Sequence, residues 1–241
     1  MILIFFGIIT GFVSGFFGLG GGLILVPLLL LSGYEMKSAV AISIMQMVFS
    51  SIYGSFLNYK TNKNILKDGI TLGLGGFCGG LLSGIIVPNV DGHYLKYLFL
   101  CIVVLSIVKV YLTSAVQEKE VKRYNIMSLV IIGFVIGVIA MSIGVGGTVM
   151  LTPILVGYMF YNLKDATSLG LFFVIFSSIA GFISLSLSGH MLYSEGTIVG
   201  ISALVGVFIG IKMKNIIQLK SYKNLILGLY ILTFISTLFK L

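Results

Sequence analysis

The 241-residue chain is 58% hydrophobic and only 9% charged, whereas a soluble globular domain carries about 25% charged residues. The formal net charge of +8 does not indicate nucleic-acid binding, because the lysines and arginines fall in short segments between long apolar blocks, where they report membrane orientation. One membrane-spanning helix needs only about 20 apolar residues. The composition therefore predicts an all-α polytopic membrane protein whose partner is the lipid bilayer and not nucleic acid.

Apolar blocks occur along the whole chain, in two groups of four. They run approximately over residues 2–31, 39–57, 69–88, 95–113, 126–161, 166–187, 196–213 and 222–239. No stretch between them is long enough for a further soluble domain, and no GxxxxGK-S/T phosphate-binding motif is present. A fused ATPase is therefore not expected.

The first and fifth blocks share one sequence pattern. Residues 11–30 read GFVSGFFGLGGGLILVPLLL, and residues 133–156 read GFVIGVIAMSIGVGGTVMLTPILV. Both contain G-x-G-G followed six residues later by proline. The shared residues are Gly18, Gly20, Gly21 and Pro27 in the first block and Gly144, Gly146, Gly147 and Pro153 in the fifth.

Residues of the other blocks repeat at a constant offset of 127 positions. The matching pairs are Phe49 with Phe176, Ser50 with Ser177, Ser51 with Ser178, Gly54 with Gly181, Gly73 with Gly200, Gly79 with Gly206 and Lys96 with Lys223. We interpret the chain as an internal duplication. The first membrane repeat is assigned to residues 1–114, a cytoplasmic connector to 115–125 and a second, inverted repeat to 126–241.

The basic segments assign opposite orientations to the two halves, because cytoplasmic loops collect Lys and Arg. In the first half, residues 60–68 are basic and residues 88–94 contain no Lys or Arg. In the second half, residues 188–196 contain none and residues 212–223 are basic. With a basic connector also in the cytoplasm, blocks 2–31 and 126–161 must each return to the side they entered from. An inverted repeat with both termini outside the cytoplasm follows.

A block that returns to its own side in about 30 residues is too short for two full helices, which need about 40. The glycine cluster in the middle of each such block therefore predicts a re-entrant hairpin, or two short helices that meet partway across the membrane. The expected architecture is six full spans and two glycine-broken hairpins. Because irregular backbone at membrane depth is tolerated only inside protein or beside water, we expect the two breaks to line a central site.

A short helix resumes after each glycine cluster, and its start is a candidate anion site. Free backbone N–H groups and the positive end of the helix dipole lie there, and glycine lets an anion approach closely. The alternative is that these glycines only permit tight helix crossing, as expected of Gly7, Gly11, Gly15, Gly76, Gly80 and Gly84. The candidate residues are Gly20, Gly21, Gly22, Gly146, Gly147 and Thr148.

Polar residues in block 39–57 are candidates for lining the same path. Ser43, Gln46 and Ser50 lie at i, i+3 and i+7 and share a helix face. The alternative is that they only hold neighbouring helices together by hydrogen bonds. Met47 lies about 100° around the helix from Gln46, so we expect it to tolerate replacement by leucine.

The matching helix of the second half offers hydroxyl groups. Thr167, Ser168, Ser177 and Ser178 either line the path or bond carbonyl groups of their own helix. Lys37 and Lys164 precede the two helices and either attract anions to the two mouths or are solvated loop lysines.

No metal, cofactor or catalytic group is expected. No Asp or Glu lies inside an apolar block, where a proton-coupled carrier generally has one. Cys78 and Cys101 lie in separate blocks without ligand-type neighbours, and we expect reduced, buried packing residues. His93 and His190 have no acidic partners at ligand spacing, and no nucleophile and base pair supports an enzyme.

The repeated GFVSGFFGLGGGLILVPLL and GVIAMSIGVGGTVMLTPIL, followed by SAVAIS and DATSLGL, resemble the TauE/SafE (TSUP) family of sulfite and organosulfonate exporters over essentially the whole chain. The resemblance implies a multi-pass permease of the bacterial cytoplasmic (inner) membrane for small sulfur-containing anions such as sulfite, thiosulfate or organosulfonates. An anion channel of the same architecture and a membrane scaffold for a partner in sulfur metabolism remain alternatives. The direction of transport, the coupling ion and the oligomeric state, a homodimer included, stay open.

Overall fold

The computed structural model describes residues 1–59, 66–112 and 124–239, which form eleven α-helices and no β-strand. The connector residues 115–123 and the basic residues Lys60, Lys63, Lys119, Lys122 and Arg123 lie outside the described residues. The helices are α1 (Ile2–Phe17), α2 (Gly22–Leu31), α3 (Met36–Tyr59), α4 (Leu66–Gly80), α5 (Ser83–Asn89), α6 (Gly92–Leu112), α7 (Ile126–Ile143), α8 (Thr148–Gly157), α9 (Leu163–Leu187), α10 (Tyr193–Ile216) and α11 (Leu219–Leu238).

Six helices are long and apolar enough to cross a membrane, which confirms the all-α polytopic fold. They are α3, α6, α7, α9, α10 and α11. Helices α4 and α5 form a further pair bent by 41°, so the block predicted at 69–88 is a broken span. Helix α7, predicted as part of a hairpin, has 18 residues and is long enough to cross alone.

Each glycine cluster ends a long helix and precedes a short one. Helices α1 and α7 have 16 and 18 residues, and α2 and α8 have ten each. At 1.5 Å per residue the short helices extend only about 15 Å, half of the roughly 30 Å hydrocarbon core. Each hairpin thus has one long and one half-length arm, and not two equally short ones.

Close contacts at glycines give the direction of the helices in the first half. Gly7 packs against Ser202, and Gly15 packs further along against Val207, so α1 and α10 are parallel. Gly196 packs against Met45, and Gly200 against Phe49, so α3 and α10 are parallel as well. Because α1 and α3 therefore run the same way, α2 must bring the chain back to the side where α1 began.

The same argument applies to the second half. Gly133 and Gly137 pack against Leu72 and Gly76, so α7 is parallel to α4. Gly69 packs against Phe172, and Gly73 against Phe176, so α4 is parallel to α9. Helix α8 therefore also returns the chain to its own side.

The two halves run in opposite directions. Gly54 of α3 packs against Leu171 of α9, whereas Gly181 packs against Ile44, so α3 and α9 are antiparallel. Gly92 packs against Met36, which places the start of α6 beside the start of α3. The ends of α3, α6 and α10, each followed in the sequence by a basic segment, consequently share one face of the bundle, and the start of α1 and the end of α11 lie towards the other. This is the predicted inverted repeat.

The two repeats are interlocked through small residues. Gly206 and Gly210 of α10 pack against Phe12 of α1, and Gly75 and Gly79 of α4 pack against Phe134 of α7. These close crossings join a helix of one repeat to a helix of the other. The packing role expected of six other glycines is confirmed, since Gly7, Gly11 and Gly15 contact α10, and Gly76, Gly80 and Gly84 contact α9.

The two cysteines correct a prediction. Cys78 and Cys101 are free thiols, as expected, but both are exposed on the outside of the bundle and not buried. Membrane helices are apolar on every side, so apolar sequence alone does not separate the lipid-facing side from the packed side.

Candidate functional site

The two glycine breaks meet in the middle of the bundle. A Cβ atom added at Gly22 would overlap the carbonyl oxygen of Gly144, and one added at Gly146 would lie 3.1 Å from the carbonyl oxygen of Leu19. The hairpins enter from opposite faces, so their contact lies near mid-membrane. Only residues without side chains allow the backbones to approach so closely.

Each half-length helix begins at the break with an uncapped start. Gly21 precedes α2 with φ 85°, and Gly147 precedes α8 with φ 72°. Both φ values favour glycine. Neither helix start receives a side-chain cap hydrogen bond, although the first N–H groups of a helix have no intrahelical acceptor. Two positive helix ends therefore lie close to the centre of the bundle.

Met47 of α3 and Val174 of α9 lie where the breaks meet. Gly20 and Gly146 each contact both side chains, and a Cβ at Gly20 would lie 3.3 Å from the Met47 sulfur and 3.2 Å from Val174 Cγ1. Met47 therefore lies at the centre of the bundle, and its tolerance of leucine stays a prediction. Met47 is about 100° from Gln46 but only about 40° from Ser43 around the helix, so it belongs to the same face.

Gln46 lies against the start of α2. It is fully buried, and neither its Oε1 nor its Nε2 has a hydrogen-bond partner within the described residues. A Cβ at Gly21 would lie 2.6 Å from Nε2 and 2.7 Å from Oε1. At the equivalent position of the second repeat, the Phe173 ring lies against Gly147, 2.5 Å from a Cβ built there. The two helix starts therefore differ: one faces an amide and the other a phenyl ring.

A hydroxyl and a glycine exchange places between the repeats. Ser43 of α3 donates a hydrogen bond of 2.7 Å to the carbonyl oxygen of Gly144 and packs against Gly22. In the second repeat, the position of Ser43 is taken by Gly170 and that of Gly22 by Thr148, whose side chain packs against Gly170. Thr148 Oγ1 is buried without a hydrogen-bond partner within the described residues.

Ser50 and Ser177, which match in the repeat, differ in their contacts. Ser50 Oγ donates to the carbonyl oxygen of Gly20 at 3.3 Å and so reaches the break. Ser177 Oγ donates to carbonyl groups of its own helix, at Phe173 and Val174. Ser178 likewise bonds its own helix, at Ile175.

Thr167 and Ser168 lie towards the basic face. Val174, at the centre, is six residues beyond Ser168, a distance of about 9 Å along α9. Thr167 Oγ1 lies 3.1 Å from the Tyr222 hydroxyl, which donates to the carbonyl oxygen of Phe16. Ser168 Oγ donates to the carbonyl oxygen of Lys164 and accepts a 2.7 Å hydrogen bond from Lys214 Nζ.

Lys37 and Lys164 have matching structural roles. Lys37 Nζ donates to the carbonyl oxygen of Pro88 at the end of α5, and Lys164 Nζ donates to that of Ile217, just after α10. Each side chain thus satisfies a carbonyl at a helix C-terminus. Both are part-buried and are not the solvated loop lysines of the alternative interpretation.

Lys214, one of the basic residues between 212 and 223, is a candidate functional residue that the basic character of this segment does not single out. It is 2% exposed. Its spacing from Val207 and Ile211, which are also buried, is that of one helix face, and this spacing was the available signal. Among the described residues, no cluster of three or more His, Cys, Asp or Glu side chains could hold a metal ion.

Comparison with known proteins identifies the family. The family model of the sulfite exporter TauE/SafE matches residues 3–237. The chain belongs to the TauE/SafE family. A probable membrane transporter protein of Methanocaldococcus jannaschii is 26% identical over 190 residues, which cover 76% of this chain and 71% of the relative. The probable membrane transporter protein YdhB of Bacillus subtilis is 24% identical over 223 residues, covering 90% and 91%. No solved structure gives a significant match. This TauE/SafE chain is a multi-pass membrane transporter.

Proposed function

We propose that this TauE/SafE transporter is a permease for small sulfur-containing anions such as sulfite, thiosulfate or organosulfonates, and that the anion binds near mid-membrane beside the start of α2. The observation that carries the proposal is the fully buried Gln46 amide without hydrogen-bond partners, held against Gly21. An unpaired buried amide is costly. A ligand that accepts from Nε2 and from the N–H groups of the helix start would offset that cost.

The chemistry of the site favours an anion over a cation. The start of α2 presents backbone N–H groups and the positive end of a helix dipole, and Gln46 adds two further N–H donors. No Asp or Glu lies inside an apolar block. An oxyanion with several acceptor oxygens matches such a set of donors. Transport without chemical conversion of the anion is the proposed activity.

The packing favours a carrier over a permanently open channel. Gln46, Met47, Ser43 and Thr148 are all fully buried, so this conformation leaves the central residues inaccessible from either face. An anion reaches them only if the hairpins move relative to α3 and α9. Inverted repeats packed around a central site are typical of alternating-access carriers. We propose the bacterial cytoplasmic membrane as the location.

Uptake into liposomes tests the proposed function. Purified protein is reconstituted, and the uptake of radiolabelled sulfite, thiosulfate and sulfoacetate is compared with that of phosphate, acetate and chloride. We expect saturable uptake of at least one sulfur-containing anion of the first group, absent from empty liposomes. Uptake of none of the three would contradict the proposal. Electrical recording from the same preparation separates mechanisms, since single-channel current steps would contradict the carrier.

A further inference from the structure

Lys214 has an incomplete set of hydrogen bonds. It lies in the last turn of α10 and is 2% exposed. Its ammonium donates a 2.7 Å hydrogen bond to Ser168 Oγ, the single acceptor that it meets within the described part of the chain. An ammonium group has three N–H donors, so two remain unpaired where water is excluded. A buried charge of this kind is costly unless further partners complete its surroundings.

The charged residues near Lys214 do not complete the hydrogen bonds of its ammonium group. Asp165 attracts the charge of Lys214, and Lys164 repels it. These two residues are adjacent at the start of α9, so their effects oppose each other. The Asp165 carboxylate also accepts a hydrogen bond from Asn162 Nδ2. A further anion would supply the missing acceptors.

A second unpaired donor lies at the same level. The Nδ2 atom of Asn58, in the last turn of α3, is buried without a hydrogen-bond partner within the described residues. Asn58 follows Gly54 by four residues and shares its helix face. Gly54 contacts Leu171 of α9 and Ile211 of α10. Helix α3 is antiparallel to α9 and parallel to α10. One turn beyond Gly54, Asn58 therefore lies at the level of Ser168, about one turn before Leu171, and of Lys214, about one turn beyond Ile211.

The inverted repeat has no counterpart of this polar group near the opposite face. At the offset of 127, the equivalents of Asn58, Ser168 and Lys214 are Leu185, Ala41 and Val87. All three are apolar and at most 1% exposed. The group of three residues is therefore polar near one face of the bundle, whereas the equivalent group near the other face is apolar. Close helix packing alone does not require this difference.

We propose that Lys214, Ser168 and Asn58 form an anion-capture site on the cytoplasmic side of the transporter, the face with the basic segments. This inference rests on the proposed function, because it assigns the transported oxyanion as the missing partner of Lys214. An anion that enters from the cytoplasm binds there, about 9 Å along α9 from the centre. An anion that enters from the opposite face reaches the central site before it reaches Lys214.

Transport measured from each face tests the capture site. Sulfite uptake is recorded in inside-out and right-side-out membrane vesicles containing the wild type, Lys214→Met, Lys214→Arg or Lys37→Met. Lys37→Met is the matched control, since it removes a part-buried lysine at the opposite face. The quantity compared is the half-saturating sulfite concentration and not the maximal rate. A damaged site slows the passage of the anion from either face, so the maximal rate would not show on which side the anion is captured.

We expect Lys214→Met to raise the half-saturating concentration about tenfold or more in inside-out vesicles and to change it little in right-side-out vesicles. Lys214→Arg should retain much of the wild-type value, and Lys37→Met should leave the inside-out value unchanged. Without sulfite, Lys214→Met should be at least as heat-stable as the wild type, because it replaces a buried charge by an apolar chain of similar length.

An unchanged inside-out value in Lys214→Met would overturn the capture site while the proposed function stands. If Lys214→Met does not fold, Ser168→Ala and Asn58→Leu take its place, and wild-type values in both would overturn the inference. If the wild type transports thiosulfate or sulfoacetate but not sulfite, the same comparison is made with that anion. Transport of none of the three would contradict the proposed function, and the capture site with it.

Discussion

Gln46 and Phe173 occupy equivalent positions in the two repeats, yet Gln46 holds an unpaired amide against Gly21, whereas Phe173 holds a phenyl ring against Gly147. The ring fills the space at the start of α8 with apolar surface. The start of α2 is therefore the better anion site of the two. A symmetric site, with both helix starts facing one anion, is not required.

Replacing Gln46 should separate stability from function. Gln46→Leu removes two unpaired buried polar atoms, so we expect the apo protein to be more stable by about 1 kcal/mol. Thermal unfolding of purified protein without anion measures this change. The control is Thr237→Val, which removes a buried hydroxyl bonded to its own helix at Thr233. A clear loss of stability in Gln46→Leu would mean that the amide already has a partner in the apo protein.

The meeting of the two breaks makes Gly22 intolerant of any side chain. Gly22→Ala places a Cβ against the carbonyl oxygen of Gly144, a backbone atom that cannot rotate away. We expect a loss of at least about 2 kcal/mol, at the upper end of overpacking effects. The matched control is Gly228→Ala in α11, where nothing lies within 4 Å of the new Cβ and a gain of about 1 kcal/mol is expected. Equal stability of the two variants would contradict the close approach of the breaks.

The exchanged hydroxyl and glycine should show energetic coupling. Gly170→Ser alone crowds the Thr148 side chain and should cost about 1–3 kcal/mol. Thr148→Gly combined with Gly170→Ser reproduces the Gly22 and Ser43 arrangement of the first repeat. We expect the double variant to recover at least about 1 kcal/mol relative to the sum of the single changes. Strict additivity in a double-mutant cycle would show that the two positions do not interact.

The inverted repeat predicts the sides of two fusion points. A reporter fused after Lys67 should be cytoplasmic, and one fused after Leu241 should lie outside the cytoplasm, because α4 and α11 carry the chain from the basic face to the other. Paired phosphatase and fluorescent-protein fusions distinguish the two sides. Finding both reporters in the cytoplasm would contradict the orientation.

The sequence was sufficient for the inverted arrangement of the two repeats, although not for the bend between α4 and α5 or the length of α7. The basic segments indicate which loops lie on the same side of the membrane. Each block with a glycine cluster must then return to the side it entered from, which predicts the two hairpins from the sequence alone. Glycine positions then identified the close crossings, since backbone contact leaves few alternatives to glycine.

Side-chain roles at the centre were harder to predict. Apolar membrane helices lack a solvent-facing side, so the pattern did not reveal that Met47 lies at the centre or that Cys78 is exposed. The Lys37 and Lys164 hydrogen bonds depend on where α5 and α10 end. The burial of Lys214 was not predicted, because lysine at a helix end is usually solvated and only its spacing from Ile211 indicates a buried face.

Direct binding tests the central claim most sharply. Isothermal titration of sulfite into purified wild-type protein, Gln46→Leu and Thr237→Val separates affinity from transport rate. A hydrogen bond to an ionised ligand contributes about 1.5–3 kcal/mol, so Gln46→Leu should bind sulfite about tenfold to hundredfold more weakly, while Thr237→Val binds like the wild type. Wild-type affinity in a folded Gln46→Leu protein would contradict an anion site beside the start of α2.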